Sequence, residues 1–312
     1  MIQIDGLNKS YGKKNEIEVL KNISLTIKDG EVIALLGHNG SGKSTLIKCL
    51  VGVLKPSKGT IKMDGYTTFK NRKKIVPKLG VVFNQKPSFI VDLNVYDNLL
   101  YFKVIYNIND NDFNDMLQLI DNYLNIKSLY NKPYRKLSFG ERVKCEITSV
   151  LLHKPKYILL DEPTIGLDYN AKKGLYQLLD YIKKNRNATI IIITHEVDYI
   201  EGICDRAIIL NHGEVRYDGI PQKFGSYLNQ KTLINIEYNY IIDEEMAECI
   251  FKESNSVDKI KKVFTYICSH EEDKNSYIKR VVEAFSIKLL GTKTTSLREV
   301  LEDVLDEIEG IK

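Results

Sequence analysis

The stretch Gly37-His38-Asn39-Gly40-Ser41-Gly42-Lys43-Ser44-Thr45 has the spacing G-x-x-x-x-G-K-[ST], the pattern of a loop that wraps phosphate groups. An apolar run from Glu31 to Leu36 enters it and reads as a buried strand, and Thr45 to Leu50 leaves it with a helical pattern. Strand, glycine loop and helix are the context such a loop needs. Glycines let backbone N–H groups turn inward onto phosphate oxygens, because no Cβ blocks the approach. The helix N-terminus adds the positive end of its dipole. Lys43 supplies a point charge, and the Ser44 hydroxyl a ligand for Mg²⁺. A glycine turn without a ligand is the bland alternative, and partners further along the chain argue against it.

Two more apolar runs, Tyr157 to Leu160 and Thr189 to Ile193, lack alternation, as parallel strands covered on both faces do. They end in Asp161-Glu162-Pro163 and Thr194-His195-Glu196. Open α/β sheets place ligands at the carboxyl ends of their strands, so these groups are expected beside the loop. Asp161 is suited to hold Mg²⁺ and Glu162 to polarise an attacking water as general base; alone, an acidic pair there serves equally as a helix cap. His195 can contact a terminal phosphate and orient the water, although a single His is as readily structural. Gln85 follows the strand pattern Leu79 to Phe83 and precedes Pro87, and its amide can meet Mg²⁺ or water. Tyr11, read as a loop residue ahead of the P-loop, offers a flat face to a base; by itself it fits a packed turn residue as well.

Leu137-Ser138-Phe139-Gly140-Glu141 opens another helix, and a Ser and a Gly before a helix make an anion-friendly N-terminus. One chain therefore offers two phosphate-binding helix ends, far apart in sequence. Pairing two copies head to tail is the simplest way to use both on one nucleotide.

Taken in order over roughly residues 1–225, these motifs resemble the ATP-binding cassette (ABC) ATPase family. The resemblance implies ATP and Mg²⁺ as cofactors, with Ser44, Gln85 and Asp161 on the metal. It makes Tyr11 the adenine-stacking aromatic, Gly37 to Thr45 Walker A and Gln85 the Q-loop. It makes Ser138, Phe139, Gly140 and Glu141 part of the family signature, acting on the partner's nucleotide. Tyr157 to Glu162 matches Walker B, Asp168 the D-loop and His195 the switch histidine. Phe139 stands where the usual L-S-G-G-Q has its first Gly, and Glu141 where it has Gln. The contact assigned to that Gln is thereby put in question. With Glu162, His195 and Lys43 present, hydrolysis is expected rather than binding alone. Leu137 to Arg142 together with Asp161 to Asp168 is similar to the viologen- and daunorubicin-exporter branch. That second resemblance implies export.

The fold expected is α/β: a P-loop NTPase of the ABC type over residues 1–225, with a helical subdomain at about 86–153. A small C-terminal α+β accessory domain is expected over 226–312. Strands are expected at Ile2-Gln3-Ile4 and Ser24 to Ile27 with a turn between, and 241–290 is ambiguous between helix and strand. Ser296 and Glu299 form a capping box before the apolar face Leu297, Val300, Leu301, Val304, Leu305 and Ile308. That face packs on its own small domain or binds a partner.

The formal net charge of +4 is mild, so no nucleic-acid partner is expected. Five scattered cysteines (Cys49, Cys145, Cys204, Cys249, Cys268), with no C-x-x-C pair, point to free thiols in a reducing cytoplasm. No signal peptide is read at Met1 to Asp5, and no apolar run approaches the ~20 residues a bilayer requires. The chain is therefore expected on the inner face of the cell membrane, with an integral permease and a second ATP-binding subunit, identical or paralogous. A soluble single-cassette ABC ATPase on ribosomes or nucleic acid is the alternative. Translation-type relatives usually carry two cassettes, and repair-type relatives a long coiled coil, neither of which is read here.

Overall fold

The computed structural model describes residues 1–12, 17–83, 87–194, 200–221, 232–268 and 271–294. The chain divides into two compact units, Met1–Pro221 and Gln222–Lys312.

The first unit contains two sheets. One is antiparallel, in the order β2-β1-β4-β5, with β1 Ile2–Tyr11, β2 Ile17–Ile27, β4 Lys58–Met63 and β5 Tyr66–Thr67. The expected short strands are long ones, so Ser10 and Tyr11 belong to β1 and not to a turn or loop. Register shifts in the β1–β2 pairing keep the ladder going where the alternation breaks, with Gly6 and Asn22 at positive φ, as at β-bulges. Asp64-Gly65 joins β4 to β5 with φ of 48° and 79°, the type I′ geometry that Asp-Gly favours.

The other sheet has the order β10-β9-β3-β8-β7-β6, with β3 Val32–Leu36, β6 Leu79–Val82, β7 Tyr157–Asp161, β8 Thr189–Ile193, β9 Arg206–Asn211 and β10 Glu214–Gly219. Neighbours from β9 to β6 pair parallel, and β10 closes the sheet antiparallel to β9. Every residue of β3 and β8 is buried, which explains runs such as Ile190 to Ile193. Burying each such side chain contributes about 1.5–3 kcal/mol.

Helices α1 Lys43–Leu50 and α2 Arg72–Ile75 come first, then α3 Val95–Ile105, α4 Asp110–Leu124 and α5 Phe139–Leu151 between β6 and β7. α6 Tyr169–Arg186 and α7 Ile200–Ile203 complete the unit. The starts of four helices are written in side chains: Asn94, Asn109, Ser138 and Asp168 each accept the N–H three residues on. Asn125 and Asn187, both left-handed, close α4 and α6.

The second unit runs β11 Thr232–Ile241, α8 Glu244–Glu253, β12 Ser256–Asp258, β13 Val263–Cys268, α9 Glu271–Ala284, β14 Phe285–Thr294. Its antiparallel sheet has the order β12-β13-β11-β14. This is a β-α-β-β-α-β unit, and it resolves the ambiguous 241–290. Ile234, Ile236, Tyr238, Phe264, Tyr277 and Phe285 are among the residues of its separate core. The expected capping box and terminal apolar face lie outside the described residues.

Candidate functional site

β3 delivers the glycine loop and α1 receives it, starting at Lys43 with Gly42 as its N-cap. Gly37 has φ 141°, and a Cβ there would lie 2.0 Å from the Leu210 carbonyl oxygen, so only glycine fits. The Lys43 ammonium lies folded over the loop, donating to the carbonyls of Gly37 at 2.6 Å and His38 at 2.8 Å. Burial lowers its pKa, opposed by the charges of Glu162 and Asp161. Ser41 is buried, and its Oγ has no hydrogen-bond partner among the described residues. Asn39 and Gly40 are exposed at the tip, and Ser44 and Thr45 open the helix.

The end of β7 comes to the same place. The Ser44 hydroxyl donates to Asp161 Oδ2 at 3.2 Å, bringing together two residues 117 apart in sequence. Burial pushes the Asp161 carboxyl upward, as does Glu162, while Ser44 and Lys43 pull it down. A hydroxyl and a carboxylate side by side are hard oxygen donors of the kind Mg²⁺ takes. Together with the orphaned Ser41 Oγ and the cradle a Cβ would fill at Gly37, they fit a metal–nucleotide group. Glu162 holds a left-handed backbone with φ 52°, strain typical of functional positions. Its N–H donates to the Ile193 carbonyl at 2.9 Å, tying it to the end of β8.

Beside Glu162 opens a cleft of about 310 Å³, walled by Phe83, Tyr134, Phe139, Arg142, Glu146 and Ile165 among others. Phe139 thus shares a cavity with the acid. Ser138 caps α5 through a full capping box: its hydroxyl accepts the Glu141 N–H at 3.2 Å, and Glu141 Oε2 accepts the Ser138 N–H at 2.8 Å. Glu141 also pairs with Lys132 at 2.8 Å. Hydrogen bonds from Lys132 and the Ser138 backbone hold its carboxyl below the usual range. The residue in the position of the usual Gln therefore folds back on its own helix.

Gly140 lies against the turn after Glu162. A Cβ on it would meet the Gly166 carbonyl oxygen at 2.4 Å, and one on Gly166 would meet the Phe139 ring at 2.2 Å. Asp168, two residues on, caps α6 by accepting the Ala171 N–H at 2.8 Å. Tyr11 ends β1 opposite Ile17, exposed, with the Lys9 ammonium over its ring 5.0 Å from the centre. Gln85 and His195 lie outside the described residues. The sequence reading passed over Glu146, which binds Ser88 and Tyr134; a carboxylate amid the buried Cys145, Ile147, Thr148 and Ser149 was the available signal.

Residues 20–165 match the family described as ABC transporter. The chain is 36% identical over 272 residues to the energy-coupling factor transporter ATP-binding protein EcfA1 of Ligilactobacillus salivarius, covering 85% of this chain and 92% of that protein. It is 31% identical over 207 residues to the ABC transporter ATP-binding protein NatA of Bacillus subtilis, covering 66% and 84%. Among solved structures, cbiO1 of Clostridium perfringens, part of the ABC transporter complex cbiONQ, aligns at 33% identity with a TM-score of 0.62, over 72% of this chain and 90% of that one. The ATP-binding cassette MJ0796, a dimer bound to ADP and Pi in a post-hydrolysis state, aligns at 28% identity with a TM-score of 0.63, over 71% and 99%.

Proposed function

The chain belongs to the ATP-binding proteins of ABC transporters, and from that premise we propose that two such cassettes close head to tail on ATP to drive a separate membrane partner. ATP hydrolysis is the activity of the family. The observation that carries the residue roles is the meeting of Ser44 and Asp161 beside the loop at Lys43.

Residues 37–45 hold the phosphates, with Lys43 released from the Gly37 and His38 carbonyls to meet them. Ser44 and Asp161 hold Mg²⁺ when it is bound, and the metal offsets phosphate charge there. Glu162 accepts the proton of the attacking water. His195 orients that water, Gln85 reports the nucleotide state and Tyr11 stacks on the base; these roles rest on sequence. Ser138 and Gly140 face the nucleotide of the other cassette at the N-terminus of α5, with Asp168 beside the shared boundary. Glu141 stabilises that N-terminus through its capping box.

The membrane partner docks on 86–105. Ile90, Val91, Leu93, Tyr101, Val104 and Ile105 are all exposed there, a concentration of apolar surface that marks interaction sites. No described helix is long and apolar enough to cross a membrane. Peripheral placement on the membrane follows from that dock. Relatives carrying energy-coupling factor names lend no support to the export direction that the exporter resemblance implied.

The test is ATP-dependent association. Glu162→Gln with ATP and Mg²⁺ should run at twice the monomer mass, and should return to monomer without nucleotide. Purification from membranes should recover a multi-span protein. A persistent monomer, or recovery of ribosomes without a membrane protein, overturns the reading.

A further inference from the structure

Residue 88, at the edge of the dock, bonds directly to α5 at one side chain among the described residues, Glu146. Glu146 projects from α5 and accepts three hydrogen bonds. Its Oε1 takes the Ser88 N–H at 3.0 Å and the Tyr134 hydroxyl at 2.9 Å, and its Oε2 takes the Ser88 hydroxyl. Proximity to this carboxylate, after burial itself, pushes the Tyr134 phenol far upward, so Tyr134 is a permanent donor at physiological pH.

The surroundings make this junction the meeting point of three segments. The Tyr134 ring stacks on Phe89 with centroids 4.9 Å apart. Tyr134 N–H donates to the Leu93 carbonyl and Arg135 N–H to the Val91 carbonyl, both at 3.0 Å. Asn98, fully buried in α3, accepts the Ile90 N–H at 2.7 Å and donates to the Ile90 carbonyl at 3.1 Å. Residues 88–93 are thus bound to α3 by Asn98 and to the 3-10 turn Tyr134–Lys136 by backbone pairs. From α5, whose N-terminus is Ser138 and Gly140, Arg142 donates to the Arg135 carbonyl at 3.0 Å and lies over the Tyr134 ring, while Glu146 reaches past that turn to bond residue 88 itself.

We propose that Glu146 is a positioning residue that couples the 88–93 segment to the signature helix, so that ATP-driven movement of Ser138 and Gly140 is carried to the dock. The inference rests on the head-to-tail reading above. Without the carboxylate, α5 keeps its capping box and its buried face, but the loop loses its tie to it. A charged acceptor taking three donors is stronger than neutral contacts of the same number. The exposed Ser88 then gives its donors to water, the buried Tyr134 hydroxyl is left without its acceptor, and residue 88 has lost its direct bond to α5.

Hydrogen exchange on the full chain tests this, in a Glu162→Gln background that arrests hydrolysis. Amides 88–93 and 139–151 are followed with and without ATP and Mg²⁺. In the parent both segments should slow by about tenfold on ATP. With Glu146→Ala added, 139–151 should still respond while 88–93 does not; Glu146→Gln, which retains an acceptor for the Ser88 N–H, should restore the response at 88–93. An ATP response at 88–93 undiminished by Glu146→Ala overturns the proposal. So does loss of both responses in a folded protein, which would make Glu146 a support of α5 only. If Glu146→Ala does not fold, Ser88→Ala with Tyr134→Phe removes two of the three donors and carries the same two outcomes. A parent that shows no ATP response at 139–151 refutes the head-to-tail reading itself, and so separates the two failures.

Discussion

Gly140→Ala tests whether the signature helix depends on its contact with the turn after Glu162. Gly140 is the second residue of α5, where alanine is the better helix former by a few tenths of a kcal/mol up to about 1 kcal/mol. Against that gain, the new Cβ would sit 2.4 Å from the Gly166 carbonyl oxygen and 3.3 Å from its carbon. That oxygen belongs to backbone, not to a side chain that can swing away. Its turn is held by Ile165 N–H on the Glu162 carbonyl and Leu167 N–H on the Thr164 carbonyl. Relieving the overlap requires a shift of roughly 1 Å in the turn or the helix start, and overpacking of this kind costs about 1–3 kcal/mol. Net of the helix gain, a loss of about 1–2 kcal/mol should lower Tm by about 2–8 °C in a unit of this size. A 1 Å misplacement of catalytic parts can cost about 10²-fold in rate. Steady-state ATPase should therefore show kcat down by about that factor, with nucleotide binding at residues 37–45 nearly unchanged, because that loop is untouched. A variant hydrolysing within twofold of the parent rate, at unchanged Tm, would refute the role given to this contact.

Gly166→Ala should destabilise for two reasons, its φ of 79° and the Phe139 ring. Adding Phe139→Ala should remove only the second, giving a coupling of about 0.5 kcal/mol or more in a denaturant cycle, and strict additivity would deny the packing. Asp64 accepts from Lys156 and Lys78 at 2.7 Å each and from Tyr157 at 2.6 Å. Although burial pushes its carboxyl up, those hydrogen bonds outweigh it and hold the carboxyl far below the ordinary range. Because the folded value is depressed, its stabilisation is present above the unfolded pKa of about 3.9 and is lost as pH falls through the folded one. Asp64→Asn should thus lower Tm at pH 7 and flatten the fall in Tm below about pH 4, and an unchanged acid limb would count against it. At the dock, Val104→Asp should abolish transport in the assembled complex while basal ATPase of the chain alone persists. Continued transport would place the dock elsewhere.

What the sequence made legible and what it hid divide along one physical line. The glycine loop, the strands at 32–36, 157–161 and 189–193, and the helix caps are local: spacing and burial on both faces write them directly into neighbouring residues. The length of β1 escaped because bulges at Gly6 and Asn22 shift the register that alternation depends on, and Tyr11 was misread as loop for that reason. The site's cross-connections escaped because they are meetings between distant segments. Ser44 with Asp161, Ser88 with Glu146 and Gly140 with Gly166 leave no periodic trace. Glu141 shows the difference most sharply. Read against a family motif, it is a departure that puts a ligand contact in question. In three dimensions it completes the cap on Ser138 and pairs with Lys132, so the residue keeps the helix N-terminus in shape. Phe139 replaces a glycine and closes over Gly166 in the same way. The start of α5 is therefore held by its own chain, through the capping box at Ser138 and the contact of Gly140 with Gly166, while Phe139 packs on Gly166 and stays half exposed.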